Sequence, residues 1–194
     1  MSKLPSTADD ILACARTLIV NGGYNGFSYA DIAEAVGIRK PSIHHHFPSK
    51  ADLVRTLVAR YREEVEAGIA HLERQTPNPL QQLRNYTAYW EACILDASAP
   101  LCICALLAAQ LPVLPAEVGL EVRAHFRSLS AWLTSVLERG QRQGILQLTS
   151  TSRVEAEAFM AGVHGAMLSA RAYADPKMFG VVTAPLLERL VPRH

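Results

Sequence analysis

The stretch GIRKPSIHHHFPSK, residues 37–50, gathers side chains that could contact phosphate, ligate a metal or act as bases. It holds three consecutive histidines with a lysine on either side, and no acidic residue falls between Glu34 and Asp52. The whole chain of 194 residues carries a formal charge of only +1, so this positive character is local. A phosphate-contacting surface, a metal site and a catalytic base are therefore the three chemistries to weigh.

Helical geometry limits what the three histidines can do together. Consecutive helical residues point about 100° apart, so His44, His45 and His46 cannot all converge on one ion. No serine, cysteine or carboxylate lies beside them at a spacing suited to a nucleophile–base pair. A surface that donates to phosphates and base edges remains, and the alternative is a solvated polar face. For His46, at the margin of the buried side, a semi-buried position without a ligand role is favoured.

Two short helices joined by a glycine turn would position this stretch. Ser28 is placed to cap the first helix, and Gly37 supplies the turn after it. Ile43 and Phe47, four residues apart, mark the buried side of the second helix. The pattern predicts a helix-turn-helix over residues 28–47, a motif whose second helix enters the major groove of DNA.

The rest of the chain is predicted to be helical as well, because capping and stop signals recur and strand signals are nearly absent. A three-helix head at 1–48 would precede a larger helical bundle at 49–194, with helix 49–75 as connector. The fold class is therefore all-α. The nine predicted helices span residues 7–21, 29–36, 40–46, 49–75, 79–97, 100–111, 115–142, 152–173 and 176–190.

Composition argues against several other classes of protein. Four cysteines lie in apolar runs without Cys-x-x-Cys spacing, which predicts reduced thiols in the cytoplasm rather than a disulfide frame or a zinc site. The N-terminus has no signal-peptide pattern. The uncharged stretch at 97–116 is interrupted by Pro100, Pro112 and Pro115, which favours a buried core segment over a membrane span. We expect a cytoplasmic protein with no metal, no cofactor and no membrane association.

The helix-turn-helix segment resembles the DNA-binding signature of the TetR family of bacterial transcriptional regulators. The resemblance implies a homodimer that binds a double-stranded DNA operator and a small-molecule effector. The positions that carry it are Ser28, Asp31, Ile32, Ala33, Gly37, Ser42, Ile43, Phe47, Lys50 and Leu53.

Two positions depart from the family pattern. His44 stands where the family usually has a tyrosine whose hydroxyl binds phosphate, and Arg39 stands where a capping Ser or Thr is usual. Histidine can still donate to phosphate, so we expect DNA binding to persist with an altered, pH-sensitive contact. Lys40, Ser42, His44, His45 and Lys50 should face solvent on one side of the head. The complete set of expected DNA contacts is Ser28, Tyr29, Arg39, Lys40, Pro41, Ser42, His44, His45 and Lys50.

A stripe of small residues in the predicted helix at 152–173 would let another helix approach closely. It could pack within the chain, and the resemblance instead implies that it belongs to a dimer interface. The stripe consists of Ala158, Gly162, Gly165, Ser169 and Ala172.

The resemblance also implies an effector pocket that is apolar with a few hydrogen-bonding groups. Its candidate residues, for each of which a core position is the favoured interpretation when it is taken alone, are Tyr86, Trp90, Cys93, Cys102, Gln110, His125, Phe126 and Phe159.

Cys102 has two competing interpretations. In the first turn of a helix at 100–111 it would favour the thiolate and could sense electrophiles, whereas a buried thiol would simply fill space.

For the whole protein, the resemblance implies a repressor that a small-molecule effector releases from its operator. One rival is a helical enzyme using Cys or His, against which the lack of a nucleophile–base pair or phosphate-binding loop counts. The other rival is a dimeric small-molecule-binding protein with impaired DNA recognition.

Overall fold

The computed structural model describes residues 7–97 and 100–192, and every regular element among them is helical, which confirms the all-α prediction. Two short 3₁₀ turns lie at Tyr24–Gly26 and Leu111–Val113. Within the described residues, no helix is long and apolar enough to cross a bilayer. The α-helices are α1 Thr7–Gly22, α2 Tyr29–Val36, α3 Lys40–His46, α4 Lys50–Gln75, α5 Pro79–Leu95, α6 Ile103–Ala108, α7 Ala116–Arg142, α8 Ser152–Ala172 and α9 Lys177–Glu188.

Eight of these helices lie within two residues of the predicted bounds, and α6 is the exception. The predicted helix at 100–111 contracts to six residues followed by the second 3₁₀ turn. Pro112 explains the early end, because it has no N–H to bond the Ala108 carbonyl of a continuing helix. The amide of Gln110 bonds instead to the Leu107 carbonyl at 2.9 Å, which is the tighter spacing of a turn.

The described chain forms two compact units. The first, called here the N-terminal unit, comprises residues 7–64 and 103–125; the second, the C-terminal unit, comprises 65–97, 100–102 and 126–192. The boundary falls inside α4 and α7. The division into a DNA-binding domain at 1–48 and a body from 49 onward is a functional one and remains a prediction.

The N-terminal unit is organised around α1, which packs on α2, α3 and α6. Ile11, Ala15 and Ile19 recur on one face of α1 and are fully buried, as the helical period requires. Opposite them, α2 and α3 contribute Ile32 and Ile43, also fully buried. The short helices are therefore held by an apolar core rather than by their own length.

The turn after α1 is held by a side chain from the far end of α6. Gly23 has a φ of 72°, in the left-handed region that favours glycine. The Gln110 side-chain oxygen accepts a hydrogen bond from the Tyr24 amide at 2.8 Å. A Cβ added to Gly23 would lie 2.1 Å from Gln110 Nε2, so glycine also makes room for this contact.

The C-terminal unit is built largely on the pairing of α8 with α9, and α5 packs against α9. The guanidinium of Arg139 on α7 donates to Glu73 at 3.0 Å and to Gln82 at 2.8 Å. The nearly buried Glu155 accepts from the Thr149 hydroxyl at 2.6 Å and from Arg189 at 3.1 Å. These bonds hold the charged groups of the unit in fixed pairs.

The adjacent glycines after α1 give a paired test of the turn. Gly23→Ala should lower the free energy of unfolding by about 1–3 kcal/mol, because alanine is strained at positive φ. Gly22→Ala, at a helical position with no heavy atom within 4 Å of the added Cβ, should leave it unchanged or raise it by up to about 1 kcal/mol. Urea unfolding of both variants measures the difference. Equal effects at the two sites would contradict this account of the turn.

Candidate nucleic-acid interface and buried ligand site

The second helix of the motif, α3, is positioned from its buried side. Ile43 is fully buried and Phe47, which follows the last residue of α3, is buried too. The hydroxyl of Tyr29 on α2 donates to the Phe47 carbonyl at 2.9 Å, which ties the end of α3 to the start of α2. The Arg39 side chain makes no capping bond at the start of α3, as its departure from the family pattern predicted.

The outward side of α3 is basic and solvent-exposed. Arg39, Lys40, His44 and His45 are exposed there, and the neighbouring Ser42 is half-buried. His46 is exposed as well, so its predicted semi-buried position is wrong; its ring lies edge-on to His45 with centroids 5.4 Å apart. This surface, which we call the α3 face and define as Arg39, Lys40, Pro41, Ser42, His44 and His45, offers several hydrogen-bond donors to phosphate.

One hydrogen bond and one ring contact orient the His44 side chain and indicate which ring nitrogen carries the proton. Its Nδ1 lies 3.2 Å from the Pro48 carbonyl oxygen, which only accepts hydrogen bonds, so Nδ1 carries the proton. The Tyr29 ring stands edge-on to it at 4.8 Å between centroids. In the neutral ring Nε2 then has a lone pair and cannot donate. His44 therefore becomes a donor to phosphate at Nε2 only when the imidazole is protonated.

The side chains of Tyr29 and Ser28 already make hydrogen bonds within the motif. Burial raises the pKa of Tyr29 to about 12, and the Asp52 carboxylate and Tyr24 add to the rise, so the hydroxyl keeps the proton that it donates to Phe47. Ser28 Oγ accepts from the Ala30 amide at 3.1 Å, while the Asp31 carboxylate accepts from the Ser28 amide at 2.6 Å. The predicted cap at Ser28 is confirmed.

Lys50 does not project freely to solvent, contrary to expectation. Its ammonium donates to the Phe27 carbonyl and lies 4.0 Å from the Phe27 ring centroid and 4.9 Å from that of Tyr24. Burial lowers the pKa of Lys50, and the negative charge of Asp31 opposes that shift. The side chain therefore fastens the start of α4 to the loop before α2.

The structure divides the predicted effector-pocket residues between the two units. Gln110 and His125 belong to the N-terminal unit. Gln110 supports the Tyr24 turn, and His125 is buried with its ring 5.4 Å from that of Tyr61. Both therefore have roles within the N-terminal unit. The predicted residues that lie in the C-terminal unit are Tyr86, Trp90, Cys93, Cys102, Phe126 and Phe159.

An aromatic cluster lies inside the C-terminal unit. Tyr86 on α5 and Trp132 on α7 pack edge to face with ring centroids 5.3 Å apart. Trp90 lies one helical turn after Tyr86 on α5 and is also buried. Sequence reasoning missed Trp132 and the buried His164, which packs edge-on against Phe126 at 5.4 Å. The available signal was that Trp132 is one of only two tryptophans in the chain.

Cys102 does not occupy the first turn of a helix. It directly precedes α6, which has only six residues, and it is 1% exposed. Burial raises the pKa of Tyr86 in the same unit, and Cys102 adds to the rise. Because the Cys102 thiol is almost completely buried, an electrophile in solvent has little access to it, and the geometry favours packing over the predicted sensor.

The small-residue stripe on α8 splits into an inward and an outward part. A Cβ on Gly162 would lie 2.4 Å from Leu186 on α9, so Gly162 serves packing within the chain. Gly165 has open space instead. The residues that α8 exposes at spacings of four and three around Gly165 are Val154, Ala158, Ala161, Leu168 and Ala172.

Comparison with known proteins places these features in a family. The model for bacterial regulatory proteins of the tetR family matches residues 11–57, which include α2, α3 and the start of α4. A solved TetR-family transcriptional regulator from Agrobacterium tumefaciens is 66% identical, covers 95% of this chain and 97% of that one, and gives a TM-score of 0.94. The chain belongs to the TetR family of transcriptional regulators.

Other relatives of this TetR-family regulator differ in the direction of control. A TetR regulator from Legionella pneumophila is 26% identical over 97% of this chain and all of that one, with a TM-score of 0.86. The repressor KstR2 of Mycobacterium tuberculosis is 30% identical over 45% of this chain and 44% of its own length. The activator FasR of Mycolicibacterium smegmatis is 30% identical over 38% and 34%. The matched part spans less than half the length of either curated relative.

Two lysines at the motif separate surface contact from internal support. Lys40→Ala should reduce the slope of log affinity for DNA against log salt by about 1 and leave stability within about 0.5 kcal/mol. Lys50→Ala should lower the free energy of unfolding by about 1–3 kcal/mol and leave the salt slope unchanged. Salt titrations of binding and urea unfolding of both variants measure these effects. A reduced slope with unaltered stability in Lys50→Ala would return Lys50 to the DNA surface.

Proposed function

We propose that this TetR-family regulator is a cytoplasmic homodimer that represses transcription by binding an operator through the α3 face. The exposed basic helix supports this proposal most strongly, because the chain as a whole is nearly neutral. Arg39, Lys40 and Ser42 supply donors for phosphates and base edges, and His44 adds one when protonated. Tyr29 and Lys50 instead make contacts inside the motif, Tyr29 with the end of α3 and Lys50 with the loop before α2.

The direct test is binding to the DNA upstream of the protein's own coding region. Fluorescence anisotropy with that duplex, in excess unrelated duplex, should show saturable binding by the full chain. No specific binding under low-salt conditions would contradict the proposal and favour the rival function, a dimeric small-molecule-binding protein with impaired DNA recognition.

The exposed position of His44 on the α3 face predicts that its ring contributes to operator binding. His44→Phe, which keeps a ring but removes both nitrogens, should weaken operator binding about threefold to tenfold, because a hydrogen-bonding group is lost from the contact surface. His71→Phe, at an exposed position on α4 away from the motif, should leave the affinity unchanged. Fluorescence anisotropy with the upstream duplex measures both variants, and wild-type affinity in His44→Phe would remove His44 from the contact surface.

The outward stripe of α8 is the proposed centre of the dimer. Leu168 is 54% exposed and Val181, on the adjoining α9, is 62% exposed, so the two helices present apolar side chains to solvent in a single chain. In the family, the last two long helices usually form a four-helix interface with their twins. A two-fold dimer of this kind would present two copies of α3 to successive half-sites about 34–36 Å apart.

A matched pair of substitutions tests the dimer. Leu168→Arg should produce a monomer, because a charged side chain cannot be buried unpaired at the centre of an interface. Leu120→Arg, an equally exposed apolar position on α7, should leave the dimer intact. Light scattering at micromolar concentration measures both. A monomeric wild-type protein, or a dimer that survives Leu168→Arg, would contradict this interface.

We also propose that a small-molecule effector binds the interior of the C-terminal unit and lowers operator affinity. The buried Tyr86, Trp90, Cys93 and Phe159, together with the half-buried Phe126, support this because they are apolar and aromatic with few polar groups, as the linings of ligand sites commonly are. The effector would act by binding a state of the dimer that fits the operator poorly.

A further inference from the structure

The two indole N–H groups of the C-terminal unit have no acceptor among the residues that the structure describes. Trp90 is 5% exposed and Trp132 is 8% exposed, and the Nε1 of each is inaccessible to solvent and makes no hydrogen bond to a described residue. Folded proteins pair the large majority of buried polar groups, because an unpaired donor forfeits its bond to water. Two such donors in one unit therefore call for a partner.

Tyr86 brings the two indoles into one cluster. Its ring packs edge to face against Trp132, and Trp90 stands one turn along α5. Burial raises the pKa of Tyr86, and a hydrogen-bonding interaction of its hydroxyl with the Trp90 indole opposes the rise, although the Trp90 N–H does not meet the hydroxyl with full hydrogen-bond geometry. We call Tyr86, Trp90 and Trp132 the indole cluster.

The chemistry of the missing partner follows from the donors and the surrounding charge. An indole N–H donates and never accepts, so its partner must carry an acceptor. Among the described residues no lysine or arginine is buried, so a carboxylate entering the cluster would find no buried lysine or arginine as counter-ion. The one buried carboxylate among the described residues, Glu155, is already bonded to Thr149 and Arg189, which leaves no buried carboxylate to pair with a cationic ligand. The surroundings thus favour an uncharged molecule.

We propose that the indole cluster binds an uncharged, mainly apolar molecule whose carbonyl oxygens accept hydrogen bonds from Trp90 and Trp132. The identification of that molecule as the effector rests on the proposed function, whereas the prediction that it accepts hydrogen bonds from the two indoles does not. Orientation would come from the two donors, and most of the affinity from burial of the apolar part.

The two tryptophans are the only ones in the chain, so their indole N–H signals report on this cluster alone. In ¹H–¹⁵N spectra of the full-length protein, Trp90→Phe and Trp132→Phe assign the two signals. The probes are acetophenone, its hydrocarbon isostere isopropylbenzene, and benzoate, compared below the solubility limit of the hydrocarbon. Acetophenone should move the indole protons downfield, which is the direction of a new hydrogen bond, and should bind about tenfold more tightly than isopropylbenzene. Benzoate should bind more weakly than both.

The comparison of acetophenone with isopropylbenzene gives each tryptophan variant an internal control. Replacing one indole by phenyl should weaken acetophenone about threefold to tenfold more than it weakens isopropylbenzene, because both probes lose the same ring contact but only acetophenone also loses a hydrogen bond. Equal loss for both probes would mean that the indoles serve packing, and the proposal would fail. It would fail equally if no probe bound, if benzoate bound best, or if the indole signals stayed in place because resident water satisfies both donors. Tyr173→Phe, at a position 71% exposed, should change nothing.

Failure of the proposed function gives a different result. If acetophenone binds with the stated pattern but leaves operator affinity unchanged in the anisotropy assay, the recognition chemistry stands and control by this site is wrong. If acetophenone displaces the protein from DNA without moving either indole signal, an effector site exists elsewhere and the indole cluster is not that site.

Discussion

The shortness of α3 is the constraint on which the DNA-binding surface depends. Seven residues make about two turns, fewer than an isolated helix needs to persist in water, and Arg39 supplies no capping hydroxyl. Its position must come from outside: Ile43 is buried in the core beneath it, and Tyr29 donates to the carbonyl that ends it. The exposed histidines and Lys40 therefore point where the buried residues direct them.

The positively charged side chains of the motif have two different roles. Lys50, which by spacing alone belongs with the surface cations, bonds the loop before α2, while Lys40 and Arg39 remain in solvent. Within the motif, the positive groups are therefore divided between one exposed surface and one internal contact. In the C-terminal unit, by contrast, two indole donors are buried without a hydrogen-bond partner among the described residues. A ligand that supplied acceptors there would recover the lost hydrogen bonds, which is how an interior site gains selectivity.

Much of the fold was predictable because capping signals and the 3.6-residue period are local properties of a sequence. Ser28 and Gly37 mark the bounds of α2, and Ile43 with Phe47 identifies the buried side of α3. Pairing between distant segments was not predictable. Periodicity shows which residues share a helical face, yet it cannot show that Gln110 reaches the Tyr24 turn or that Gly162 packs on Leu186. Those contacts are set by the tertiary fold rather than by the local sequence.

Hydrogen–deuterium exchange on the full-length protein, with and without its upstream DNA, tests the central claim most directly. The account predicts that DNA slows exchange in residues 39–46 and in the adjoining start of α2, because phosphates and base edges cover the α3 face. Exchange in the indole-cluster segments of α5 and α7 should change less, since DNA does not touch them. Protection that appears only outside 28–50, or no protection under conditions where the DNA is saturating, would contradict the assignment of the α3 face as the DNA-binding surface.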